Sequence, residues 1–314
     1  MKNGVVCIGL AVTDILVRPV DPAFQNHDTT FVEEISCAVG GDAFNEAYAL
    51  TRLGLPVKLM ASVGSDMWGD FIIKNGIEAG INMEHVMRSC DYPTTISIVL
   101  IRNNGERNFI CARGTAMHFI MDSLDIPSIE KAKVVSLASL YTSRETDQAF
   151  VVAAKAAKEA GAIVTADTTT NMELCTLESQ AELFPLVDFI FPNYDEACKI
   201  TGEKDLDRIA SAFLRYGVRN VVIKTGKNGC YIQNAKEKLN IPTYKKAKRV
   251  DTTGAGDNFA AGFIYGLSKD LSIQECAAYA NATASVSIQY TGAGGVKNLQ
   301  EVEDMMAGGI LEIT

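Results

Sequence analysis

The amino-acid sequence predicts an α/β fold: a three-layer α/β/α domain on a mostly parallel sheet, with a small β-sheet lid. Three observations carry this expectation. From about residue 40 onward, short apolar runs rich in β-branched residues alternate with stretches of helical period, the pattern of a parallel sheet covered on both faces. Several of the helical stretches end in Gly, the residue that most readily closes a helix. Two segments, 15–37 and 94–112, break the rhythm with extended, alternating chemistry.

Taken in order, GVVCIGL, VKLMASVG, KVVSLAS, AIVTADT, VDFIFPN and NVVIKTG are the expected buried strands. The helices between them are AFNEAYALTRLG, DMWGDFIIKNGIEAG, ETDQAFVVAAKAAKEAG and KDLDRIASAFLRYG, followed by helices at 256–268, 272–289 and 298–307. The N-terminal stretch carries one Lys and a short apolar run, but Gly9 and Asp14 interrupt it and no small-residue cleavage site follows. It reads as a buried first strand rather than a signal segment. TTISIVLIRNNGERNFICA (94–112) reads as two strands joined at NNGE, a hairpin. The expected division is a main domain over 1–14, 38–93 and 113–314 with a β-lid over 15–37 and 94–112.

With 314 residues, 47% of them hydrophobic, the chain buries a large core. Its formal net charge of −9 argues against a nucleic-acid partner. No apolar run approaches the ~18–20 residues that cross a bilayer. The eight cysteines are scattered, with no C-x-x-C. This excludes patterned zinc or disulfide sites and points to reduced core residues in a cytoplasmic protein.

The strongest chemical feature is Asp251-Thr252-Thr253-Gly254-Ala255-Gly256-Asp257, followed by apolar residues at helical spacing. A Gly-rich turn feeding a helix N-terminus gathers backbone N–H groups around one anion, and a carboxylate there can accept a proton from a hydroxyl. The same residues also suit a tight turn with an Asp cap. No Walker A loop or dinucleotide fingerprint occurs. A second feature is Gly40-Gly41-Asp42-Ala43-Phe44-Asn45. Paired glycines admit a ligand close to the backbone, and Asp42 and Asn45 can bond sugar hydroxyls; a capped turn reads equally well. Asp14 is expected at the C-terminal end of the first strand, where open α/β sheets bind ligands.

GGDAFNEA and DTTGAGD resemble the two signatures of the ribokinase-like (PfkB) carbohydrate kinases, and the pattern extends over essentially the whole chain, lid included. Between them, Asn193-Tyr194-Asp195-Glu196 resembles the family's N-x-x-E motif and KTGKNG its nucleotide loop. The resemblance implies a kinase that uses ATP and Mg2+ to phosphorylate a hydroxyl of a sugar or sugar-like small molecule. Carried onto this sequence, it makes Asp257 the general base and the amides of Gly254, Ala255 and Gly256 the anion hole. It has Asn193 and Glu196 act on Mg2+ through water, with Asn193 also among the nucleotide residues. It gives Thr225, Gly226, Gly229 and Asn281 to the nucleotide, and Asp14, Gly41, Asp42 and Asn45 to the substrate. Asp251 and Thr253 match positions that offer oxygens to an activating monovalent cation such as K+.

The sequence departs from ribokinase in having Asp42 where ribokinase has a Lys, and Val12 where it has an Asn. Asp42 suits a neutral polyol or an amino-bearing ligand better than a sugar acid. Against that stand the lid arginines Arg102, Arg107 and Arg113, of which Arg107, with Asn108, can reach an anionic substrate or simply lie solvated. A nucleoside kinase of the same family, with Phe44 or Phe109 stacking on a base, is an alternative. A catalytically idle metabolite-binding protein is another. The short lid strands have edges to cover, which suggests a homodimer through the lid.

Overall fold

A computed structural model describes residues 3–103, 106–169, 175–244, 247–290, 292 and 295–308. Its strands are β1 (Val5–Gly9), β2 (Val12–Arg18), β3 (Glu34–Gly40), β4 (Val57–Gly64), β5 (Asn82–Ser89), β6 (Ile96–Ile101) and β7 (Arg107–Ala112). They continue with β8 (Val134–Leu140), β9 (Ile163–Thr168), β10 (Phe189–Ile190), β11 (Asn220–Lys224), β12 (Cys230–Asn234) and β13 (Lys238–Ile241). The α-helices are α1 (Asp42–Arg52), α2 (Met67–Ala79), α3 (Ile126–Lys131), α4 (Arg144–Glu159), α5 (Tyr194–Thr201), α6 (Leu206–Arg215), α7 (Ala255–Ser268), α8 (Ile273–Ser287) and α9 (Leu299–Gly308).

Each apolar run expected as a buried strand forms one, in a nine-stranded sheet of order β13-β12-β11-β10-β9-β8-β1-β4-β5. It is parallel except for β12 and β13, which pair antiparallel at one edge. Both faces are covered, which is why the runs are continuously apolar rather than alternating. In β1, Val5 and Cys7 point into a core shared with α1, α2, α7, α8 and α9, while Val6 and Ile8 point into one shared with α3, α4, α5 and α6. Caps set the helix ends. Asp66, Ser143 and Asp205 accept amide bonds at three N-termini, Asn193 and Ser272 form capping boxes, and Gly80 and Gly202 close helices in the left-handed region. No sequence pattern marks β5, whose buried Met83 and Val86 alternate only loosely with polar neighbours, nor the edge hairpin.

A separate four-stranded sheet has the order β3-β2-β6-β7. Its β6–β7 pair is the expected hairpin, in register from Ile96↔Ala112 to Ile101↔Arg107; residues 104–105 of the expected turn lie outside the described residues. The small sheet starts earlier and ends later than the lid segment 15–37. Because β1 stops at Gly9 and the chain re-enters extended structure at Val12, Asp14 lies inside β2 rather than at the end of the first strand. The cysteines also divide. Cys7, Cys175, Cys230 and Cys276 are buried, but Cys37, Cys90 and Cys111 are exposed. For Cys37 and Cys111, the apolar neighbours that suggested a core belong to a sheet too thin to bury them. Among the described residues, no helix is long and apolar enough to cross a membrane.

Phe213 on α6 is fully buried and meets Phe184 edge-on at 5.7 Å. Phe213→Ala should lower the unfolding free energy by about 3–5 kcal/mol, read from urea unfolding. A loss below about 1 kcal/mol would show that this second core packs loosely.

Candidate active site

The strand order runs outward from β1 in both directions, and the carboxyl ends of β1 and β8 therefore flank a topological switch, where open α/β sheets bind ligands. The paired glycines fit this crevice for two separate reasons. A Cβ at Gly40 would come within 2.1 Å of Asp14 Oδ2, so Gly40 lets that carboxylate lie across β3. Gly41 has φ +94°, and a Cβ there would come within 2.6 Å of the Leu10 carbonyl; only Gly makes this turn without strain. Across the crevice, Ser139 is buried at φ 108° and its Oγ accepts a bond from Leu10 N–H at 3.2 Å. A buried non-glycine residue in that region is held there by its surroundings, a feature common at ligand sites. Ser139 also hydrogen-bonds Asp42.

The two sequence signatures meet. Asn45 Nδ2 donates to Asp257 Oδ2 at 2.7 Å across 212 residues of sequence. Asp257 stands in the first turn of α7, whose N-cap, Gly254, sits at φ 69° with no side-chain cap. Ala255, expected in the anion hole, donates its amide to Thr252 O at 3.2 Å. The donors left at this terminus are the amides of Gly254, Gly256 and Asp257. Burial pushes the Asp257 carboxyl above its usual value, against the Asn45 hydrogen bond and the Lys224 charge, while Glu196 adds to the rise. Asp42 is driven well up, first by burial, then by Asp257 and Asp167. Glu46, one turn further along α1, is fully buried and driven well up by burial and by Asp167. Ser136 Oγ donates to Glu46 Oε2 at 2.6 Å, while Oε1 has no partner.

The cation facing these carboxylates is Lys224, at the end of β11. Its Nζ holds both oxygens of Asp167, the end of β9, at 2.8 Å. A Cβ on Gly256 would sit 3.2 Å from Lys224 Nζ, so the ammonium lies against the anion-hole turn. Burial works against this ammonium, but Asp167 and Glu196 outweigh it and hold Lys224 above its usual range. Asn193 and Glu196 form the capping box of α5 beside Lys224. Glu196 Oε2 accepts from Thr168 Oγ1 at 2.8 Å and from Asn193 N–H at 2.9 Å, leaving Oε1 for other donors. Thr225 closes its loop by donating N–H and Oγ1 to Gly229 O at 2.9 and 2.8 Å, with Gly226 exposed at the tip. Asn281 is buried on α8, and its Nδ2 donates to Ile241 O and Pro242 O at 3.3 and 3.2 Å. It fixes the chain after β13.

On the lid, alternation gives one face to Asp14, Ser97, Arg107, Phe109 and Cys111 and the other to Ile15, Cys37, Ile98 and Ile110. The two lid residues expected at the substrate are engaged elsewhere. Arg107 Nη1 and Nη2 donate to Asp251 Oδ1 and Thr252 Oγ1 at 3.2 and 3.0 Å, and the exposed Asn108 accepts from Arg102 at 2.9 Å. Phe44 is buried against Tyr48 and cannot stack on a base; Phe109 is 57% exposed. Asp251 and Thr253, expected to hold a monovalent cation, are bonded to each other. Asp251 Oδ1 accepts from Thr253 N–H, Thr253 Oγ1 and Arg107, and Oδ2 accepts from Gly292 N–H at 2.9 Å. The remaining ligands were expected from the 286–294 loop, where Thr291, Ala293 and Gly294 lie outside the described residues.

Four contributors went unread in the sequence: Asp167, Lys224, Ser139 and Glu46. The first two end parallel strands on the crevice side, and that position is the signal that would have found them.

Burial, then the Asp257 charge, raises Asp14 from 3.8 to about 6 against a hydrogen bond from Ser97. A carboxyl raised on folding contributes stability that is complete below about 3.8 and lost as pH rises through about 6. Asp14→Asn should remove that loss, so its unfolding midpoint should gain on wild type between about pH 4 and pH 6 and hold the gain above. A pH-independent difference between the two would show that Asp14 is not so perturbed.

The chain is similar to known proteins in sequence and in fold. The model of the pfkB family carbohydrate kinases matches residues 2–299. The ribokinase of Staphylococcus aureus is 26% identical over 314 residues, covering 97% of this chain and 100% of the relative. The 2-dehydro-3-deoxygluconokinase of Bacillus subtilis is 26% identical over 83% of this chain and 84% of its own length. Among solved structures, the ribokinase of Arabidopsis thaliana complexed with ribose and ATP superposes with a TM-score of 0.84 at 25% identity, covering 98% of this chain and 99% of that one. The chain belongs to the pfkB family of carbohydrate kinases.

Proposed function

We propose that this protein transfers the γ-phosphoryl group of ATP to a hydroxyl of a sugar or sugar-like small molecule, with Asp257 as the general base. The observation that carries this reading is the Asn45–Asp257 bond of 2.7 Å. It occupies Oδ2 and leaves Oδ1 turned to an acceptor hydroxyl. As that hydroxyl attacks in line, its proton passes to Asp257, and the amides of Gly254, Gly256 and Asp257 with the Lys224 ammonium hold the transferring charge. Positioning and charge stabilisation of this kind supply most of the catalysis in phosphoryl transfer. Glu196 Oε1 and the neighbouring Asn193 fit a Mg2+ held through water, and among the described residues no cluster of three carboxylates, histidines or cysteines forms a direct metal cage. Bound there with ATP, Mg2+ would neutralise phosphate charge.

The loop of Thr225, Gly226 and Gly229 lies where the nucleotide is expected. Asp14, Gly41, Asp42 and Asn45 line the acceptor side. The crowd of carboxylates there disfavours an anionic acceptor and supports a neutral polyol. With Phe44 buried, the nucleoside alternative loses one of its two stacking partners. The small sheet serves as a lid that keeps water from taking the phosphoryl group. Its outward face leaves Ile35 66% and Ile110 55% exposed beside Cys37, which supports a homodimer formed lid to lid.

Asp257→Asn should keep ATP binding and lose at least ~10²-fold in turnover, measured as ADP release over a panel of sugars, sugar acids and nucleosides. Near-normal turnover would remove Asp257 as the base, and ATP binding without turnover on any acceptor would favour an idle binding protein. Asn45 stabilises the Asp257 carboxylate, so Asn45→Ala should raise its pKa and move the acid limb of kcat/KM to higher pH. A limb that stays in place would show that the bond does not tune the base. Light scattering should give twice the 33.9 kDa chain mass for wild type and the monomer mass for Ile110→Lys; a monomeric wild type excludes the lid dimer.

A further inference from the structure

We propose that Asp167 is a positioning residue for phosphoryl transfer: it pins the Lys224 ammonium against the bare Cα of Gly256, at the start of α7, where the phosphoryl group is held. The inference rests on the kinase reading above. Lys224 closes β11 and Asp167 stands near the end of β9, with β10 between them in the sheet. β10 has only two residues, and the Lys224 side chain reaches past it to Asp167. Nζ lies 2.8 Å from both carboxylate oxygens. Asp167 is itself oriented, since its Oδ1 also accepts the Thr168 N–H at 2.8 Å. An ammonium has three donors. The two oxygens of Asp167 engage two of them, which leaves one for a ligand.

Gly256 is the other half of this arrangement. Unlike Gly254, it is not in the left-handed region that favours glycine. What its missing side chain provides is space. A Cβ there would sit 3.2 Å from Lys224 Nζ and 3.8 Å from Cε, with no other described atom within 4 Å outside its own helix and chain neighbours. A methyl group at 256 would therefore press on the ammonium that Asp167 holds. Among the described residues Asp167 alone bonds that ammonium, while Glu196 and Asp257 act on it through charge. The Lys224 and Asp167 side chains are 12% and 4% exposed. A buried ion pair gains little over apolar residues of the same volume, so stability alone is a weak reason for one in this crevice.

The test measures ADP release on the best acceptor for wild type, Asp167→Asn, Lys224→Ala and a protein carrying both changes, with and without millimolar ethylammonium. Lys224→Ala should lose ~10²-fold in kcat, and Asp167→Asn about tenfold or more although Lys224 is still present, with KM for ATP changed much less in both. Ethylammonium should restore part of the loss in Lys224→Ala but not in the double variant, where nothing holds the added cation. A merely structural defect would show no such dependence on Asp167. Gly256→Ala should lower kcat about fivefold or more in wild type and leave Lys224→Ala unchanged, since the two positions are in contact. Asp167→Asn or Lys224→Ala as active as wild type overturns the proposal. So does a rescue that is absent from Lys224→Ala or equal in the double variant, or a Gly256→Ala cost that is the same in both backgrounds. The thermal unfolding midpoint needs no acceptor. Ethylammonium should raise it above the value in equal potassium chloride for Lys224→Ala but not for the double variant, and a rise in both or in neither refutes the hold of Asp167 on the cation. An inert acceptor panel counts against the kinase reading, while the midpoints still decide whether Asp167 places the cation.

Discussion

The hydrogen bond from Asn45 Nδ2 to Asp257 Oδ2 at 2.7 Å is the constraint on which the rest of the site depends. It ties the first turn of α1 to the first turn of α7, two helices packed on the same face of the sheet. Each helix begins in a glycine turn that has no side-chain cap, at Gly41 and Gly254. An uncapped start leaves backbone donors unpaired, so both helices offer amides to a ligand in the same crevice. The bond engages one oxygen of the Asp257 carboxylate and leaves the other outside it.

Around that bond the chemistry is a crowd of carboxylates. Asp14, Asp42 and Glu46 are all pushed up by burial and by like charges nearby. Such an arrangement costs stability and persists because neighbours answer parts of it. Lys224 neutralises Asp167, Ser139 and Ser136 bond Asp42 and Glu46, and Ser97 bonds Asp14. Glu46 Oε1 is left without a donor. Local rules of capping, polar burial and backbone dihedral all fail in this one region, which is where a fold bends its own rules for function.

Much of the fold was legible in the sequence because a sheet buried on both faces writes itself as continuous apolar runs. β1, β4, β8, β9 and β11 are such runs. The edge strands β5 and β13 are half-solvated, so they carry weaker patterns and went unread. The signatures located Asp257, Asn45 and the glycine turns, since those depend on local backbone geometry. Partnerships across sequence were not legible. Nothing in ADT and KTG says that Asp167 and Lys224 share a bond, and nothing in GERN says that Arg107 lands on Asp251. The amide of Ala255 was misread for a related reason: a turn hydrogen bond to Thr252 cannot be seen in composition.

The lid shows how one short sheet serves two demands. With period-2 alternation, a strand has one face to give to each neighbour. Facing the crevice are Asp14, Ser97 and Arg107, whose partners lie in the lid itself or in the DTTGAGD loop; facing outward are Ile15, Ile98 and Ile110. The strands that carry the lid's outer face also carry Arg107, which bonds Asp251 and Thr252 of the DTTGAGD loop. The DTTGAGD loop and the outer apolar face are thus joined through the backbone of two strands.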